Sequence, residues 1–158
     1  MAFSLDQVHV PEGEAPVWDR DPSEWGSGVR ALCFGIASRD HFPDRFLDAH
    51  LELFAARHEH GGKLADRTVL RDAVARAGLD PDAVERIADA PETLAALARD
   101  HTEMREGYDV FGVPTFVEGD EAVFIRFMER GNVADLHRAL DLLQWPDLNE
   151  FKRTRVPR

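Results

Sequence analysis

Five successive stretches of helical periodicity fill the chain from Val29 to Gly107, and text of a different kind brackets them on both sides. Apolar residues at i, i+3, i+4 and i+7 turn one face of a helix toward a core. Val29, Leu32, Cys33 and Ile36 open the series on that spacing. Phe42, Phe46, Ala49, Leu53 and Phe54 mark a second helix, with Pro43 near its first turn and Gly61-Gly62 as a stop. Asp66 is placed to cap a third, holding Val69, Leu70, Ala73 and Val74 and closed by Gly78. Asp80 followed by Pro81 is a cap and first-turn pair for a fourth, with Val84, Ile87 and Ala88 inward. A fifth runs from Pro91 to Gly107 on Leu94, Leu97, Ala98 and Met104.

Ahead of this block, Phe3 to Val10 is expected as a short strand with Phe3, Leu5 and Val8 on one side, and Pro11 to Gly28, with three prolines and three glycines, as a loop. Behind it stands VFGVPTFVEGDEAVFIRF, Val110 to Phe127. Its two β-like runs, VPTFV and AVFIRF, are joined by the turn Glu118-Gly119-Asp120. A proline inside VPTFV lies in the ladder, so a Val117→Pro change is expected to damage folding. Asn132 is placed to cap a last helix whose inner face is Val133, Leu136, Leu140 and Leu143. The segmentation expected is therefore 1–28, N-terminal strand and loop; 29–107, helical block; 108–145, two strands and a helix; 146–158, a basic tail.

Composition narrows the function classes. With 158 residues, 44% of them hydrophobic, the chain can bury one sizeable core. Thirty acidic against 19 basic side chains give a net charge of −11, which repels a phosphate backbone and argues against nucleic acid as a partner. There is no apolar run long enough to span a membrane, and MAFSLDQVHVPEGEAP lacks the basic start and apolar middle of a secretion signal, so a cytoplasmic protein is expected. The one cysteine, Cys33, excludes a CxxC pair, an internal disulfide or a cysteine-rich zinc site within this chain.

The order β, helical block, ββα, with GVPTFV at residues 112 to 117, resembles the DsbA-like branch of the thioredoxin superfamily. The helical text FPDRFLDAHLELFAARHEHGGKLADRTVLRDAVARAGLD is similar to the insertion domain of that branch, and the closing NEFKRTR to the tail of its cytosolic actinobacterial, mycothiol-dependent-reductase-like members. The resemblance implies an α/β thioredoxin-like sheet with an all-helical insertion, and thiol–disulfide chemistry. It implies a cis peptide before Pro114, leaving Val113, Pro114 and Thr115 to bind an extended peptide or a thiol-containing small molecule as an added strand.

The resemblance also marks a departure. The family's catalytic CxxC, or the serine of its glutathione-dependent 2-hydroxychromene-2-carboxylate isomerase relatives, has no counterpart here, and AFSLDQV resembles the strand that follows the catalytic helix. The chain then reads as a catalytically incomplete oxidoreductase relative lacking its N-terminal βα unit, with no catalytic residue and no cofactor of its own beyond a low-molecular-weight thiol. Three accounts stand side by side: a piece of a longer active protein, a non-enzymatic binding module, and a sheet completed by a partner, including a homodimer. By itself the chain is expected to leave AFSLDQV and VPTFV facing a gap with unpaired backbone groups, and so to be dimeric or aggregation-prone.

The remaining candidates read as structural. Cys33 lies on an apolar stripe and reads as an inert core thiol, with Arg30 three residues away as weak support for ionisation. His58 and His60 do not share a helix face, and His41, His50, His101 and His137 read as solvated or capping, so no metal site is expected. Asp66, Asp72, Asp80, Asp82 and Glu85 read as a solvated face. Lys152, Arg153, Arg155 and Arg158 put cations on a tail that reads either as disordered or, as the resemblance implies, as anchored by Phe151 beside the cis-proline end of the sheet, offering cations to an anionic thiol.

Overall fold

The computed structural model describes residues 1–125 and 131–145. In chain order the elements are α1 (Leu5–Val8), α2 (Ser27–His41), α3 (Phe46–His58), α4 (Arg67–Arg76), α5 (Pro81–Ala88), α6 (Pro91–Tyr108), β1 (Thr115–Glu118), β2 (Glu121–Phe124) and α7 (Val133–Leu143). Short 3₁₀ turns occur at Val17–Asp19, Pro22–Glu24 and Pro43–Arg45. Chain contacts divide the molecule into two compact units, Met1–Thr102 and the part from Glu103 onward. The described sheet has two strands. No described helix is long and apolar enough to cross a membrane.

In the first unit the periodic faces meet as their spacing requires. Val29, Cys33, Phe34, Ile36 and Ala37 of α2 share one buried cluster with Ala49 and Leu53 of α3, Leu70 and Val74 of α4, Val84 of α5 and Leu97 of α6. Caps set the helix starts: the Asp66 carboxylate accepts from Thr68 N–H at 2.9 Å and Asp80 from Asp82 N–H at 3.0 Å. After α4, Gly78 takes φ +78°, and Leu79 N–H donates to Val74 O at 3.0 Å, closing the helix end. On the solvent side, Glu85 accepts from Arg67 and Arg71, and those arginines also bond Asp89 and Asp82. Of the acidic face, Asp82 and Glu85 therefore lie in an ion-pair network with arginines, and Asp66 and Asp80 cap helix starts. Phe54 departs from its expected inward place and is exposed on α3, beside the exposed Leu47 and Leu51.

The N-terminal strand expected over Phe3 to Val10 is not formed; α1 occupies its centre. The reason is a start signal stronger than a weak alternation. Ser4 and Gln7 stand three apart as in a capping box, and the Ser4 hydroxyl accepts from Gln7 N–H at 3.3 Å, with Asp6 in the first turn. Phe3 is buried while Leu5 and Val8 are exposed, so the three do not share a side. With no strand at AFSLDQV, the expected gap between two strands has no basis.

The second unit is built on a hairpin. β1 and β2 pair antiparallel with Thr115 opposite Phe124, Phe116 opposite Val123, Val117 opposite Ala122 and Glu118 opposite Glu121. Gly119 opens the two-residue turn at φ +60°, the position where a type II′ turn takes glycine. α7, capped by Asn132 through Asp135 N–H at 3.1 Å, packs on both strands. Its buried residues are Ala139 and Leu143; Val133, Leu136 and Leu140, expected inward, are exposed. A two-stranded ribbon is too narrow to cover the whole stripe.

Candidate functional site

The segment from Val110 to Val117 is positioned from both ends. At its start, Val110 N–H donates to Met104 O at 3.1 Å, and the Arg105 guanidinium donates to Val110 O at 3.2 Å, so the last turn of α6 holds the chain as it leaves. Gly112 is buried against the Phe124 ring, where an added Cβ would lie 3.2 Å from a ring carbon. The Thr115 hydroxyl donates to Gly112 O at 2.7 Å, closing the loop around Val113 and Pro114. The Val113–Pro114 peptide is cis.

Hairpin geometry decides which groups of β1 remain available. In a two-residue hairpin the residues flanking the turn form a hydrogen-bonded pair, and such pairs alternate with pairs that exchange no bonds. Glu118 and Glu121 flank the turn, so Phe116 and Val123 bond each other, and the Pro114 carbonyl accepts from Ile125 N–H at 3.2 Å in the same phase. Thr115 and Val117 are thereby the non-bonded positions, and their N–H and C=O groups point away from β2. Val113 lies two residues earlier, its backbone makes no hydrogen bond within the described residues, and its side chain is 44% exposed. Val113, Thr115 and Val117 thus line one edge, with exposed Phe111 tilted against the Phe124 ring at 5.1 Å beside it. This phase corrects the expectation for Val117→Pro: the N–H removed is not one that β2 receives, and edge strands tolerate proline there.

The thiol lies in the other unit. Cys33 is 1% exposed within the helical core, and burial pushes its thiol up to about 12; Arg30 opposes that shift and Asp89 adds to it. Arg30 pairs with Asp89 at 3.6 Å and lies over the Trp25 ring, its centre 5.4 Å from the centroid. At neutral pH Cys33 is thereby held as the neutral thiol.

The model of the DSBA-like thioredoxin domain matches residues 31–141, from α2 through most of α7. The chain belongs to the DSBA-like thioredoxin family. A search of curated proteins returned no match. The family membership rests on the helical block and the hairpin together, the two parts whose order carried the resemblance. An α/β thioredoxin-like fold with a helical insertion accords with the mostly helical chain and its small antiparallel sheet.

In this DSBA-like chain, Val113, Pro114 and Thr115 come together as one loop and edge, and Val117 extends it; the alternation of hairpin bonding was the signal that could have added it. Among the described residues no three His, Cys, Asp or Glu side chains gather closely enough to hold a metal. His101, expected as solvated or capping, falls at i+7 from Leu94 and i+4 from Leu97, on the inward stripe. It is buried at 6% exposure, and its Nδ1 accepts from Ser4 N–H at 3.3 Å. Lys152, Arg153, Arg155, Arg158 and Phe151 lie outside the described residues, as does the end of the AVFIRF run.

Proposed function

We propose that this DSBA-like domain serves thiol–disulfide biology as a binding module, pairing the open edge of β1 with an extended cysteine-containing peptide or a low-molecular-weight thiol, and that it does not itself turn over disulfides. The observation that carries the reading is the outward phase of Thr115 and Val117 beside exposed Val113. Main-chain donors and acceptors on an unpaired edge bind any extended chain, and side-chain pockets then select among them. The inert thiol supports the second half: a buried Cys33 held in the protonated form is a poor nucleophile, and thiol–disulfide exchange needs a thiolate with access. A lone cysteine kept as a free thiol suits a reducing compartment, and the domain is assigned to the cytoplasm.

The test is an amide-resolved NMR titration of the full chain with an extended cysteine-containing peptide and, separately, with a thiol tripeptide. Resonances of Val113, Thr115 and Val117 should shift together and saturate. Val117→Pro should weaken peptide binding at least tenfold while the β2 resonances stay in place. Saturable binding that leaves the three edge amides unmoved would overturn the reading, as would no binding of either probe.

A further inference from the structure

The open edge of β1 ends in uncompensated negative charge. Glu118 closes β1, Glu121 opens β2, and the two stand directly opposite each other across the hairpin. Both are exposed, as is Asp120 in the turn between them. None of the three carboxylates has an ion-pair partner among the described residues. Like charges directly opposite across an antiparallel pair repel. Elsewhere the chain answers such groups from within, as where Arg67 and Arg71 bond Glu85. At the hairpin tip no described cation does so, and the tip continues the edge on which Thr115 and Val117 turn their backbone groups outward. Resting on the reading that this edge receives an extended peptide, we infer that Glu118 is its specificity-determining residue. It selects peptides with a lysine or arginine abreast of it, next in sequence to an apolar residue abreast of Val117.

The strand period fixes the pattern. Successive side chains point to opposite faces and directly opposed residues share a face, so Thr115, Val117, Ala122 and Phe124 lie on one face and Glu118 and Glu121 on the other. The first face is apolar beside the edge: Val117 is exposed, the Thr115 hydroxyl is committed to Gly112 O, and exposed Phe111 sets its ring against Phe124. A strand added to the edge takes its main-chain bonds at Thr115 and Val117. Run antiparallel, it places its next residue opposite Glu118 in a non-hydrogen-bonded pair, where Cα atoms approach to about 4.5 Å and side chains lie closest. A cation there stands on the carboxylate face, beside Glu118 and one strand from Glu121. In either strand direction the order abreast of Glu118, Val117, Phe116 and Thr115 is basic, apolar, unrestricted, apolar. The net charge of −11 attracts any cationic peptide to the chain at large, so the selection is defined by position and not by charge alone.

The experiment is an amide-resolved NMR titration of the full chain with peptides that differ only at their ends: an alternating valine and threonine segment with one cysteine, closed on both sides by lysine, by glutamine or by glutamate. Identical ends make each probe indifferent to strand direction. The lysine-ended peptide should bind about fivefold tighter than the glutamine-ended one, and the glutamate-ended peptide most weakly. Glu118→Gln should bring the lysine-to-glutamine ratio close to one. Glu121→Lys, which sets a cation opposite Glu118 from within the hairpin, should do the same. Asp72→Asn on α4, which removes one charge from the helical unit, should leave the ratio in place. Equal affinity for the lysine- and glutamine-ended peptides, with the Val113, Thr115 and Val117 amides shifting for both, would overturn the selection and leave the edge reading standing. A ratio that survives Glu118→Gln, or falls as far in Asp72→Asn, would assign it to net charge and overturn the selection as well. Edge amides that stay unmoved with every peptide would overturn the edge reading and the selection together.

Discussion

The two units treat their apolar residues in opposite ways. In the helical unit the periodic stripes of α2 to α6 meet, and Val29, Phe34, Leu70, Val74, Val84 and Leu97 are fully enclosed, while Leu47, Leu51 and Phe54 of α3 stay exposed. In the hairpin unit the stripe of α7 outruns the ribbon beneath it, and Val113, Val117, Val133, Leu136, Leu140 and Trp145 remain exposed. Helices bury surface on a face as broad as their neighbours allow, whereas a two-stranded ribbon is marginal on its own. Fully enclosed side chains thus concentrate in the helices, and the proposed binding edge lies at the hairpin.

The largest effect that probes this contrast is a truncation in each unit. Phe34→Ala should cost about 3–5 kcal/mol in denaturant unfolding, the range for emptying an enclosed aromatic site. Leu136→Ala on the open stripe should cost less than about 1 kcal/mol. Equal costs would erase the distinction between the units. A smaller effect is expected at the thiol: Cys33→Ala should lose about 1 kcal/mol, and Ellman's reagent should label the native protein slowly and the guanidinium-unfolded protein fully. Prompt labelling of the native state would mean that the helical core is open around α2. The smallest effect belongs to the surface network, where bonds from Arg67 and Arg71 hold the Glu85 carboxyl below its ordinary value. A carboxylate whose folded value is lowered contributes stability above the unfolded value, near 4.3, and loses it as pH falls through the folded one. Glu85→Gln should therefore cost at most about 1 kcal/mol at pH 7 and flatten the acid limb of the stability profile, as read by thermal unfolding between pH 7 and 3.

The same contrast governs what a reader of the sequence can see. Helices α2 to α6 are legible because each carries its own apolar period, α4 and α5 an aspartate cap as well, and the partner faces lie in neighbouring segments. The hairpin and the Val113-Pro114-Thr115 segment are legible because a turn glycine and a proline mark them. What escaped depends on pairing that no local pattern carries. Alternation at Phe3, Leu5 and Val8 suggested a strand, and only the Ser4 to Gln7 cap spacing argued otherwise. His101 sits on the inward stripe of α6 with Leu94 and Leu97, and only its polar type made it read as solvated, since Phe3, Ser4 and Trp18 reach it from another part of the chain. The α7 stripe is apolar in sequence, and its exposure follows from the width of a sheet that the stripe itself does not specify.

The central claim is that this DSBA-like chain presents an edge for binding while its only thiol is shut away. Insulin reduction driven by dithiothreitol tests it most directly, with the purified chain compared against a no-protein blank. The account predicts a rate equal to the blank, for the wild type and for Cys33→Ser alike. Turnover above the blank that disappears in Cys33→Ser would show a working thiol in the helical core and contradict it.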